Sequence, residues 1–238
     1  MAAENLDPQR ITETVGRLAR RVERRFPDSG LLGVARRLEE VASHAAERAA
    51  WIERPILWLR VLVGAFILLI AAVLAGAVAR LRLPSTEVTL GDLVQWLEAG
   101  INDVVFVGLA IAFLVTLETR IKRNRALRAI HELRSIAHII DMHQLTKDPE
   151  WVLERGRESG VHPSPRMSPF ELSRYLDYCS EMLSLTGKVA ALYIGRFDDS
   201  VALAAVNELE SLTTGLSRKV WQKLMILYSL EPHRPGRA

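Results

Sequence analysis

The sequence predicts an all-α protein: a two-helix transmembrane hairpin carrying a cytoplasmic helical bundle. Three observations predict it. Residues 61–79, VLVGAFILLIAAVLAGAVA, run for nineteen positions without a charge. A second apolar block, VVFVGLAIAFLVTL, fills 104–117. Elsewhere apolar residues recur three and four apart, the period of one helix face, and no stretch alternates as a strand does.

Composition alone does not separate a small membrane protein from a soluble one. Of the 238 residues 49% are hydrophobic and the net charge is +3. The apolar residues pile into two blocks, and that distribution decides. A single cysteine, Cys179, excludes an internal disulfide and fits a reducing compartment. The first thirty residues are polar and charged, with no short apolar core and cleavage site. The first block is therefore expected to stay in the mature protein.

About twenty apolar residues at 1.5 Å each cross a hydrocarbon core of roughly 30 Å. The first block meets that length, and Leu57 to Leu59 extend it while Arg60 snorkels toward headgroups. The second block is short, and extending it through Ile101 brings Asn102 and Asp103 to the boundary. Arg80 and Arg82 close the first span on that same side, where Asp103 is expected to pair with one of them. Arg48, Arg54 and Arg60 precede the first span, and Arg120, Lys122, Arg123, Arg125 and Arg128 follow the second. The connection carries Arg80 and Arg82 against Glu87, Asp92, Glu98 and Asp103. Both termini are thus expected in the cytoplasm. Within the connection, Thr89 and Asp92 look like a helix start, and Leu93, Trp96 and Leu97 share a face. A short helix lying on the outer membrane surface is expected there.

Residues 1–54 read as a helical hairpin. Asp7 and Pro8 supply an N-cap and a first-turn proline. Ile11, Val15, Leu18 and Val22 then mark a stripe. After the break at Phe26-Pro27-Asp28-Ser29-Gly30, Leu38, Val41, Ala42, Ala45 and Ala49 mark a second. Arg10, Arg17, Arg20, Arg21, Arg24 and Arg25 form a basic face, either solvated or against anionic lipid. Residues 55–118 are the membrane hairpin, and 119–238 the C-terminal bundle.

In that bundle the second span continues as a rod to Gln144, with Leu133, Ile136, Ala137 and Ile140 on its apolar face. Asp148-Pro149 starts a short helix, and a loop rich in glycine and proline follows to Pro169. Ser168 and Glu171 form a capping box around Pro169. The helix it opens, to Ile194, carries Leu172, Tyr175, Leu176, Cys179, Met182, Leu183, Ala190 and Tyr193 on one face. A last helix, starting at Asp198 or Asp199, carries Val206, Leu209, Thr213, Leu216, Val220, Leu224 and Leu227.

Two stripes are candidates for function. His131, Arg134, His138 and Asp141 line one face of the rod, and histidine with carboxylate is the chemistry of zinc or iron sites. His131 and His138 stand two turns apart, about 10.5 Å along the axis, so a metal would need ligands from Glu171, Asp177, Glu181 or Glu210. Arg125 and His131 also match the arginine–histidine spacing of some helical nucleases, but Ala126 occupies the usual polar position. The second stripe is Asn207, Glu210, Thr214, Ser217 and Trp221, with Arg218 and Lys219 beside the Trp. Those residue types suit a protein interface. Ser217 and Thr214 have no histidine near in sequence, Thr186-Gly187-Lys188 lacks the upstream glycine of a phosphate loop, and Cys179 on an apolar face should be inert.

The blocks HELRSIAHIIDMHQLTKDPE, FELSRYLDYCSEMLSLTGK and LTTGLSRKVWQK resemble an uncharacterised family of bacterial two-span inner-membrane proteins with a helical cytoplasmic domain. The likeness covers roughly the C-terminal half. It implies a bacterial inner-membrane setting and carries no activity or functional residues. The expectation is a non-enzymatic adaptor, scaffold or regulatory subunit that needs no cofactor and binds the bilayer and a protein partner or a second copy. The rival is a metal-dependent bundle centred on His131 and His138. No nucleic-acid partner is expected.

Overall fold

The computed structural model describes residues 6–80, 90–147, 149, 167–195 and 197–230. Among them every regular element is a helix: α1 (Pro8–Arg25), α2 (Gly30–Glu53), α3 (Leu57–Arg80), α4 (Leu90–Leu145), α5 (Pro169–Ala191) and α6 (Ser200–Leu230). The chain divides into two compact units, one of Met1–Glu53 with Arg125–Ala238 and the other of Arg54–Asn124.

The first unit joins the N-terminal hairpin and the C-terminal helices around one core. Its helices start where side chains satisfy the free N–H groups of the first turn. Asp7 accepts from the N–H of Gln9 at 2.9 Å, with Pro8 next in line. Ser168 and Glu171 close a reciprocal capping box at 3.2 and 2.8 Å. Asp199 accepts from the N–H groups of Val201 and Ala202 at 3.1 and 2.9 Å.

Helix α5 is the centre, packed on α1, α2 and α6. Its buried set reaches beyond the expected face to Ser173, Tyr178, Leu185, Thr186, Gly187 and Val189. The break between α1 and α2 is pinned to it by Phe26, whose ring meets Tyr175 edge-on at 5.4 Å and Tyr178 at 6.2 Å. The later turns of α4 add Leu133, Ile136, Ala137 and Ile140 to the core, and α6 adds Val206, Leu209, Leu216, Val220, Leu224 and Leu227. A Cβ at Gly16 would stand 2.9 Å from Glu39 Oε1, the tip of a flexible side chain on α2. Part of the α1 basic face is engaged within the unit: Arg21 pairs with Glu181, and Arg25 lies 4.7 Å over the ring of Phe170.

In the second unit α3 and the first part of α4 are long and apolar enough to span a membrane. Glu118 ties their bases together, accepting from Arg60 Nε at 3.2 Å and pairing with Lys122 at 2.9 Å. Their apolar side chains are not packed away: Val61, Leu68, Val104, Phe106 and Leu109 are 70–73% exposed.

The separate surface helix expected before the second block is corrected by the structure. Residues from Leu90 onward are the opening turns of α4, which continues for 56 residues without a break. At 1.5 Å per residue that is roughly 84 Å of continuous helix. The reason is local: Gly100 alone costs about 1 kcal/mol against alanine, and no proline between Leu90 and Leu145 removes a helical hydrogen bond. The continuity also supplies the length that residues 104–117 lack by themselves. The side chains of Leu93, Trp96 and Leu97, the pairing of Asp103 with Arg80 or Arg82, the short helix at Asp148 and the loop that follows it lie outside the described residues.

Candidate interaction surface

The stripe on α6 lies in the open. Apolar residues three and four apart bury one side of α6 against α5, which turns Asn207, Glu210, Thr214, Arg218 and Trp221 outward, with Ser217 half-buried. Trp221 is 61% exposed. The same spacing continues past it to Met225 and Tyr228, which are 50% and 53% exposed. These two were legible in the sequence, because the three-and-four rhythm of the stripe simply runs on.

Trp221 also edges a groove of about 470 Å³ between α1, α5 and α6. Thr14, Asp177, Ser180 and Ser184 reach it from other helices, and Leu224 lines it from the next turn of α6. Burial raises the pKa of Asp177, against the opposing charge of Arg174 at 3.4 Å. Tyr228 anchors the far end of the stripe, its hydroxyl 3.2 Å from Ser173 Oγ. The surface therefore combines a large amphipathic ring, the exposed side chains of Met225 and Tyr228, and a groove whose carboxylates, Asp177 and Glu181, are paired with Arg174 and Arg21. Such a surface can hold a helix or peptide by apolar contact.

The histidine stripe is placed differently. His131 and His138 are exposed, and Asp141 accepts from Gln144 Nε2 at 2.6 Å. Arg134 pairs with Glu208 at 2.9 Å. Three of the four carboxylates proposed to complete a metal site are engaged elsewhere: Glu171 in its capping box, Asp177 with Arg174 and Glu181 with Arg21. Among the described residues no three His, Cys, Asp or Glu side chains gather closely enough to hold a metal ion.

Nucleophilic chemistry fares no better on geometry. No hydrogen bond joins Ser217 or Thr214 to a histidine among the described residues. Cys179 is wholly buried, and burial pushes its thiol up to about 12, so it is protonated at neutral pH. Arg125, the nuclease candidate, stacks 3.6 Å over the ring of Trp51, while Ala126 beside it is core. Comparison with protein-family models, curated proteins and solved structures finds no match to this chain.

Proposed function

We propose that this chain is a membrane-anchored helical adaptor or scaffold of the bacterial inner membrane. The apolar helices α3 and α4 anchor it, the helical unit stands in the cytoplasm, and α6 presents the surface that binds a protein partner or a second copy. The observation that carries the reading is the exposed stripe from Asn207 to Tyr228, which grows more apolar toward Trp221, Met225 and Tyr228. Aromatic and methionine side chains clustered on an exposed face are the composition of interface cores rather than of ordinary surface. The anchoring half is supported by Leu68 and Phe106, since a soluble core helix of such composition would bury them.

Affinity purification of the chain in mild detergent, followed by mass spectrometry, tests the reading. A reproducible stoichiometric partner, or a mass of two chains, is expected. A monomer that purifies alone contradicts it.

A further inference from the structure

Where the chain leaves the first unit at Glu53 and re-enters it at Arg125, basic side chains gather around a pocket. Arg48, Arg125 and Arg128 line a cavity of about 170 Å³ whose apolar wall is Ile52 and Ala129. Drug-sized ligands occupy about 300 Å³ or more, so this space suits a small group. The carboxylate in its lining is Glu132, which Arg48 meets at 2.8 Å and Arg37 also contacts. Arg125 is held by stacking on Trp51, and Arg128 is exposed with no ion-pair partner among the described residues. The pocket is therefore cationic, with two guanidinium groups not committed to a carboxylate.

We infer that this pocket binds the phosphate of an anionic phospholipid headgroup. Guanidinium forks match phosphate oxygens in pairs, which an ammonium group cannot do. Trp51 is half exposed, and its ring, apolar with one polar edge, is the type enriched at the depth of lipid headgroups. Lipid is the source the sequence favours over free phosphate. Arg125 lies eight residues after the apolar block at 104–117, and Trp51 six residues before α3 begins. Arg54, Arg60, Arg120, Lys122 and Arg123 flank the same passages, and clusters of that density beside a span draw anionic lipid.

The inference rests on membrane insertion, so carbonate extraction of the wild type is measured alongside the test. The full chain, purified in non-ionic detergent, is offered phosphatidylglycerol or phosphatidylcholine and examined by native mass spectrometry. One phosphatidylglycerol is expected to be retained and phosphatidylcholine not. The paired variant Arg125→Gln with Arg128→Gln should retain at least tenfold less, and Arg36→Gln with Lys188→Gln, an equal charge loss on α2 and α5, should retain as much as wild type. If the paired variant fails to fold, Arg128→Gln alone, at an exposed position, should still show a clear loss. Equal retention of both lipids, or undiminished retention by the Arg125 and Arg128 variants, overturns the site. Displacement of the lipid by millimolar inorganic phosphate overturns the headgroup assignment in favour of a free anion. These results in a chain that resists carbonate extraction refute the lipid site alone, and a chain that carbonate extracts refutes both readings.

Discussion

Lys223 of α6 donates from Nζ to the main-chain carbonyls of Gln144 and Lys147, at 2.6 and 3.1 Å. Gln144 is in the last turn of α4 and Lys147 just past its end, where carbonyls lack partners within the helix and a cation is a favourable donor. The contact locks the end of the long helix to α6 one turn or less from Trp221. Lys223→Met should lower stability by about 1.5–3 kcal/mol, the range for charge-assisted hydrogen bonds. Denaturant unfolding in detergent checks the loss.

Gly215 sits in the interior of α6 on its exposed side, and nothing lies within 4 Å of where a Cβ would stand. Gly215→Ala should stabilise the chain by roughly 0.5–1 kcal/mol through helix propensity. If a partner helix closes on this face, the added methyl should weaken association while raising the unfolding midpoint. Measuring both quantities on one sample separates the two effects.

Alkaline pH should weaken the bundle through groups that burial keeps protonated. Cys179 ionises near 9 when unfolded and at about 12 when folded, with burial the main cause. Burial likewise raises Tyr175 and Tyr193 above their ordinary 10. The folded state then holds these protons more tightly than the unfolded state. Their contribution is complete below about pH 9 and is lost as pH rises toward 12. Unfolding midpoints should fall over that window, less steeply in Cys179→Ala. At pH 8 iodoacetamide should label folded Cys179 slower than the unfolded chain by roughly a hundredfold or more.

Leu176 is fully buried in the middle of α5. Leu176→Ala should cost about 2–5 kcal/mol by opening a cavity in the shared core. Because that core joins α1 and α2 to α5 and α6, limited proteolysis should show both segments loosening together. Loss confined to α5 and α6 would argue against a shared core.

Much of this architecture is legible in the sequence because helices announce themselves locally. The caps at Asp7, Ser168 and Asp199 involve residues two or three apart, and the stripes of α5 and α6 repeat every three or four. Two features are not legible, each for a physical reason. The turns after Leu90 read as a separate helix because Gly100 and the polar Asn102 and Asp103 suggest a boundary, yet nothing there removes enough hydrogen bonding to end α4. The apolar stripes of residues 1–53 leave them free to dock on the C-terminal helices, but the join itself, Phe26 meeting Tyr175 and Tyr178, is a contact that no local spacing encodes. The site divides the same way. Asn207 to Trp221 is visible as a stripe, whereas the groove beside it needs Thr14 and Asp177 brought in from other helices, and the arginine pocket needs α2 placed against α4.

The most direct test of the adaptor reading is photo-crosslinking from the stripe in intact cells. A benzophenone amino acid in place of Trp221 should give one light-dependent adduct of defined mass, either a partner or a second copy of the chain. The same probe in place of His138, exposed on α4, should give none. No adduct from position 221, or equal adducts from both positions, would contradict the claim that α6 presents the binding surface.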